Sequence, residues 1–291
     1  MKGTKSLTFI SVADGQPPRA VDGDIVEERL VCISVNGTEL ATIMCSPNNL
    51  DLLALGFLAN EGLISSMAEV RRLHISKSDS CVEVWLHDTA VELPRRFVIT
   101  AGCGGGVTFD DMSQRHPPLQ SDLRADPAEL AEVMRQMHLG ADLYQQARGI
   151  HTAALANGSE ILLQVEDVGR HNCLDKLRGA ALKEGLDTRD RVLLTSGRIS
   201  SEMINKARRL GTPIICSRTS PTHLSVSLAE SWQMTIIGYL RQSRMRIYTH
   251  PERVLEIERI VRDRVSAAES QYLSRDNEYV TGVTPYGETD E

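Results

Sequence analysis

The chain has no C-x-x-C pair, and its six cysteines (Cys32, Cys45, Cys81, Cys103, Cys173 and Cys216) fall at irregular spacings that match no zinc ribbon. Most of them sit inside apolar strand or helix patterns, as Cys216 does in Pro213-Ile-Ile-Cys-Ser, and read as small core residues. No G-x-G-x-x-G, no G-x-x-x-x-G-K-[ST] and no G-x-S-x-G elbow occurs, so Rossmann, P-loop and α/β-hydrolase readings lack support. No internal repeat is found, and no apolar run approaches the length of a membrane span. The apolar run within Met1–Val12 is too short for a secretory signal, and the expectation is a cytoplasmic, thiol-preserving setting with no membrane partner. Basic excess is also missing. The net charge of −7 argues against broad nucleic-acid binding while leaving room for a local basic pocket. What is present is ordinary globular material: 291 residues, 41% hydrophobic, enough for one or two domains with a buried core.

Residues 1–24 carry the turn formers Asp14-Gly-Gln-Pro-Pro and Asp22-Gly and are expected to form a frayed entry segment. Residues 25–109 read as a small α+β domain. In it Asn36-Gly37 joins two β-prone runs, Asn48 or Asn49 caps a helix over Leu50–Asn60, and strands near Val70–Ile75, Cys81–Leu86 and Arg96–Ile99 lead to a loop around Cys103. Residues 110–126 form a linker. Pro127 then opens an amphipathic helix to about Ala147. Regular strand and helix alternation follows up to about residue 250 and predicts a mixed-sheet α/β core with helices on both faces, a largely parallel centre and an antiparallel hairpin edge. Residues 251–291 are read as a helix over roughly Glu252–Ala268 and a mobile polar tail.

The segment Thr100-Ala-Gly-Cys103-Gly-Gly-Gly106 is the strongest chemical signal. Glycines place no Cβ in the way of a swinging sulfur, and unscreened backbone N–H groups favour a thiolate, so Cys103 is the candidate reactive thiol. Three polar strand-to-helix turns, Glu166–Asn172, Ser196–Glu202 and Ser217–His223, each set an arginine beside amides and hydroxyls. Arg170, His171, Ser196, Arg198, Arg218 and Thr219 are thereby candidate phosphate-binding residues. A fourth basic element, Tyr239-Leu240-Arg241-Gln242-Ser243-Arg244, follows the last apolar strand and could grip a pyrophosphate or a heterocycle edge. The competing reading has the hydroxyls merely cap helices while the arginines pair with Asp167, Glu202 or Glu230. His151 and His171 have no second ligand at usable spacing, so no metal site is expected.

In order along the chain, these strings resemble the FdhD family, the sulfur-carrier accessory proteins of formate dehydrogenase. The resemblance runs from about Glu27 to Val254 through Val35-Asn-Gly37, Leu55–Gly62, Thr100–Gly104, Gly149–Leu155, Glu166–Asn172 with Leu174–Leu177, Ser196–Met203, Ser217–Thr222 and Tyr248–Glu252. It implies a three-layer core like that of cytidine deaminases, used for binding. It also implies a carrier that accepts sulfane sulfur from a cysteine desulfurase as a Cys103 persulfide. That sulfur would pass to the molybdenum or tungsten bis-guanine-dinucleotide cofactor before the cofactor enters formate dehydrogenase. The family's cofactor-binding segment falls on Tyr239–Arg244. The family pattern T-x-x-C-G-x-C-G has a second cysteine where this chain has Gly106. One thiolate suffices to attack a donor persulfide, and the change removes only a disulfide within the loop. A homodimer would set two such loops against a two-armed cofactor. A zinc deaminase needs H-x-E and P-C-x-x-C, whereas His171-Asn-Cys173 lacks the glutamate and no P-C-x-x-C exists. The non-catalytic rival is a chaperone that escorts the cofactor without moving sulfur.

Overall fold

The computed structural model describes residues 3–90, 98–99, 107–108 and 116–255. It begins with a hairpin, β1 (Thr4–Ser11) against β2 (Arg19–Val26), in unbroken antiparallel register. The expected frayed entry segment is thus paired strand. Asp22 and Gly23, which read as a turn, lie inside β2: the Asp22 and Asp24 carboxylates accept from Thr8 and Ser6 directly across the ladder. Gly23 leaves the space that the Phe9 ring occupies, since a Cβ there would stand 2.8 Å from that ring.

β3 (Arg29–Val35) and β4 (Thr38–Cys45) flank Asn36-Gly37, whose φ angles of 50° and 84° give the two-residue turn that matches strand twist. α1 (Leu50–Asn60) has the bounds predicted for it, and Asn49 occupies its N-cap position but without the expected side-chain bond. Asn49 is left-handed and accepts from Leu53 N–H through its carbonyl at 3.1 Å, while Asn48 turns its amide oxygen to Lys176 Nζ at 3.1 Å. β5 (Val70–Ile75) and β6 (Cys81–Leu86) complete a four-stranded sheet in the order β4-β3-β6-β5, with β3 and β6 parallel. A short ladder pairs β7 (Val98–Ile99) with β8 (Val107–Thr108). Cys103 and the rest of the loop between them lie outside the described residues.

The helix expected from Pro127 to Ala147 is two helices, α2 (Pro127–Leu139) and α3 (Asp142–Ala147). Asp126 caps the first by accepting from Ala128 and Glu129 N–H. The break follows from a buried acceptor on another element. The Glu166 carboxylate accepts from Leu143 and Tyr144 N–H at 3.0 and 2.9 Å, donors that an unbroken helix would turn to Leu139 and Gly140.

There follow β9 (His151–Asn157), β10 (Glu160–Asp167), α4 (Arg170–Glu184), β11 (Val192–Thr195), α5 (Ser201–Leu210), β12 (Ile214–Ser217), α6 (His223–Ser231), β13 (Thr235–Arg241) and β14 (Arg244–Ile247). The six-stranded sheet runs β10-β9-β11-β12-β13-β14, and only β11–β12 and β12–β13 pair parallel. The sheet is therefore mixed, less parallel than the alternation suggested. β14 escaped the sequence reading because Arg244-Met-Arg-Ile looks like a basic tail rather than a strand. Leu155, Leu193, Ile215 and Ile236 pack against α4, α5 and α6 on one face, and Ala154, Leu194, Cys216 and Ile237 against α2 on the other.

α4 also meets α1 at very short range. A Cβ on Gly56 would fall 1.6 Å from the Asp175 carbonyl oxygen, and one on Gly179 would fall 2.0 Å from that of Leu52. The remaining flank of α1 inserts Leu53, Phe57 and Leu58 beneath Val31, Ile33, Val82 and Val84 of the four-stranded sheet. Each such fully buried side chain contributes on the order of 1.5–3 kcal/mol. Of the helix expected over about Glu252–Ala268, the described residues hold only a single turn of 3-10 helix over Pro251–Arg253, which ends at the extended Val254 bridged to Ala125, and residues 256–291 lie outside the described residues. Among the described residues no helix is long and apolar enough to cross a membrane.

Candidate functional site

The carboxyl ends of β11 and β12 lie side by side, Thr195 opposite Ser217, with the amino end of the antiparallel β9 beside them. Ligands of α/β sheets gather at such strand ends. The hydroxyls here mainly shape the turns. Ser196 Oγ accepts from Thr152 N–H at 3.0 Å and lies 3.3 Å from His151 Nδ1. Thr195 Oγ1 accepts from Gly197 N–H, and Ser217 Oγ donates to the Gly197 carbonyl at 2.6 Å while accepting from Thr219 N–H at 2.9 Å. Arg241 Nε on β13 donates to the Arg218 carbonyl at 3.1 Å.

These turns form one wall of a cleft of about 410 Å³, and the α2–α3 elbow supplies the other through His138 and Tyr144. The Arg218 guanidinium contacts His138 Nδ1, and Arg148 stacks 4.8 Å from the Tyr144 ring centre. Burial, then Arg218 and Arg148, hold His138 below the usual histidine range. Burial and Arg170 do the same for His151. Both imidazoles are thereby kept neutral at pH 7, and Arg218 and Arg241 carry the positive charge of the lining. Among the described residues lining the cleft there is no carboxylate. Two guanidinium groups over neutral donors suit a phosphorylated or otherwise anionic ligand.

Of the residues singled out from the sequence, Ser196, Arg218, Thr219 and Arg241 meet in this cleft. The others take different places. Arg170 is buried under the Ser196 turn, where a Cβ on Gly197 would stand 2.8 Å from its own Cβ. His171 is buried, with Nε2 3.2 Å from Ser200 Oγ and Nδ1 3.4 Å from Glu202, and burial pushes its pKa down to about 4. Arg198 is exposed and outside the lining. Leu240 is buried in the α2-facing core, which removes its side chain from any ligand. Tyr239 occupies a left-handed position at φ 53° with its ring beneath Arg246. Gln242 and Ser243 turn the β13–β14 hairpin and Arg244 begins β14, all three exposed and outside the cleft. Cys103 lies outside the described residues.

The carboxylates that could have neutralised the arginines are engaged elsewhere. Asp167 pairs with Lys176 at 2.6 Å, Glu202 with Lys206 at 3.3 Å, and Glu230 lies 4.0 Å from His250. The Glu166–Asn172 string, read as a phosphate turn, is chiefly a clamp. Asp167 also accepts from Ser46, Gly169 and Asn172, and Glu166 caps α3. His138 and Tyr144 were missed because only the tertiary break at the elbow turns them inward. Among the described residues no group of three or more His, Cys, Asp and Glu could hold a metal ion.

Comparison with known proteins places this architecture. The FdhD/NarQ family model matches residues 26–255. The sulfur carrier protein FdhD of Bacillus subtilis (strain 168) is 36% identical over 242 residues, covering 81% of this chain and 92% of that protein. Its counterpart in Staphylococcus aureus (strain MRSA252) is 36% identical over 259 residues, covering 86% of this chain and 96% of that protein. The crystal structure of a protein of Desulfotalea psychrophila, described as a formate dehydrogenase accessory protein, superposes with a TM-score of 0.70 at 25% identity, covering 87% of this chain and all of that one. The chain belongs to the FdhD/NarQ family.

Proposed function

We propose that this protein is a sulfur carrier of the FdhD type, serving formate dehydrogenase through the enzyme's molybdenum or tungsten bis-guanine-dinucleotide cofactor. The observation that carries this reading is the cleft with Arg218 and Arg241 over neutral His138 and His151 and no carboxylate among its described lining residues, together with relatives named as sulfur carriers. The guanine-dinucleotide arms present the phosphates that such a cleft prefers. The six-stranded unit is taken as a deaminase-like core used for binding rather than hydrolysis.

In the proposed cycle Cys103 thiolate attacks the terminal sulfur of the desulfurase persulfide. A new S–S bond forms at Cys103, and the desulfurase cysteine leaves as a thiolate. The Cys103 persulfide would carry that terminal sulfur to the cofactor, whose phosphates Arg218 and Arg241 would hold. Gly106, in the place of the family's second loop cysteine, confines the step to one loop thiol. Incubation with a cysteine desulfurase and labelled cysteine, followed by peptide mapping, should show one added sulfur on the Cys103 peptide that is lost in Cys103→Ala. Unlabelled Cys103 beside intact guanosine diphosphate binding would replace this reading with that of a cofactor chaperone.

A further inference from the structure

Cys32 on β3 and Cys81 on β6 are direct partners in the parallel ladder of the four-stranded sheet. Partners in a sheet project to the same face, and here it is the face turned away from α1. Val31, Ile33, Val82 and Val84, the alternate residues, are the ones buried beneath α1. On the cysteine face Leu30 is 60% and Trp85 38% exposed. Both sulfurs are reduced thiols on part-exposed residues, whereas Cys45, Cys173 and Cys216 are buried. Neighbouring strands stand about 4.8 Å apart. That separation falls inside the Cα range of about 4.4–6.8 Å that a disulfide spans.

We propose that Cys32 and Cys81 form a redox dithiol that closes to a cross-strand disulfide in exchange with a low-molecular-weight disulfide. Cys81 thiolate attacks one sulfur of the oxidant RSSR, whose S–S bond breaks to release RS⁻ and leave Cys81–S–S–R. Cys32 then gives up its proton and attacks the Cys81 sulfur, expelling the second RS⁻. Two protein thiols are oxidised by two electrons, the oxidant is reduced to two RSH, and the two thiol protons end on those products. Burial and the neighbouring Cys81 thiol push the Cys32 pKa up, which disfavours two thiolates side by side and keeps one thiol protonated until the first has reacted. The site uses neither Cys103 nor the cleft, so it stands or falls separately from the sulfur-carrier reading.

The test uses the full-length protein, reduced and then exposed to glutathione disulfide at about pH 8, near the ordinary thiol range. Remaining thiols are blocked with N-ethylmaleimide and the protein is digested and mapped by mass spectrometry. The expected result is loss of both maleimide labels from Cys32 and Cys81 with appearance of their joined peptides, reversed by dithiothreitol and unchanged in Cys103→Ser. In Cys32→Ser the reaction should stop at a glutathione adduct on Cys81. Recovery of Cys32 and Cys81 as separate maleimide or glutathione adducts in the wild-type protein would overturn the proposal, as would linkage of Cys81 to any other cysteine.

Discussion

Lys176 Nζ lies 2.6 Å from Asp167 Oδ2, and neither side chain has any exposure to solvent. The pair joins the amino-terminal half to the six-stranded unit, because Asp167 also accepts from Ser46 N–H and Lys176 Nζ reaches Asn48 Oδ1. Taking two charges out of water is costly, so the pair holds only while both members are present and their remaining bonds are made.

Removing one member should therefore hurt more than any gain from the pair would suggest. Lys176→Met leaves a buried carboxylate with amide donors alone and should cost about 3–5 kcal/mol. Urea unfolding followed by tryptophan fluorescence measures this. A loss below about 1 kcal/mol, the level of a surface pair, would show that the clamp is dispensable.

A pH effect follows from His171. Its folded pKa is pushed down to about 4, below the ordinary value of about 6.5 for the unfolded chain. The folded state thus binds this proton less readily than the unfolded one. The stability owed to neutral His171 is complete above about pH 6.5, and falls as the pH drops from there towards 4. Melting curves across that window should show a shallower decline for His171→Gln than for the wild type. Parallel declines would assign the acid sensitivity to other groups.

Ligand affinity in the cleft should follow the placement of the arginines. Arg218→Gln and Arg241→Gln each remove a charge-assisted donor of about 1.5–3 kcal/mol, equivalent to roughly tenfold or more in guanosine diphosphate affinity. Arg198→Gln should cost less than either, since Arg198 is exposed and outside the lining. Titration calorimetry gives the order. Equal losses at all three positions would mean that the nucleotide lies across the turns rather than in the cleft.

Elements governed by neighbours in sequence were legible without coordinates. Asn36-Gly37 dictates a tight hairpin because few other pairs accept two positive φ angles. α1 begins and ends at the bounds read from the sequence, Leu50 and Asn60. Ser196, Arg218 and Thr219, which meet in the cleft, could be singled out because polar turns after apolar strands are local features, and Arg241 because a basic run at a strand end is one too. The α2–α3 break and the burial of His171 were not legible, since each depends on a partner on another element further along the chain.

The sequence by itself determined the strand and helix alternation and the family resemblance, both of which follow from local propensity and residue order. Only the tertiary structure decided which polar residues line the cleft and which are locked in the interior. Asp167, Lys176, His171 and Glu202 carry the same charges and hydrogen-bonding groups as a binding site would. The difference lies in burial. A charged group is held in the interior only when distant elements complete its hydrogen bonds, and that completion is a property of the packed fold rather than of any stretch of residues.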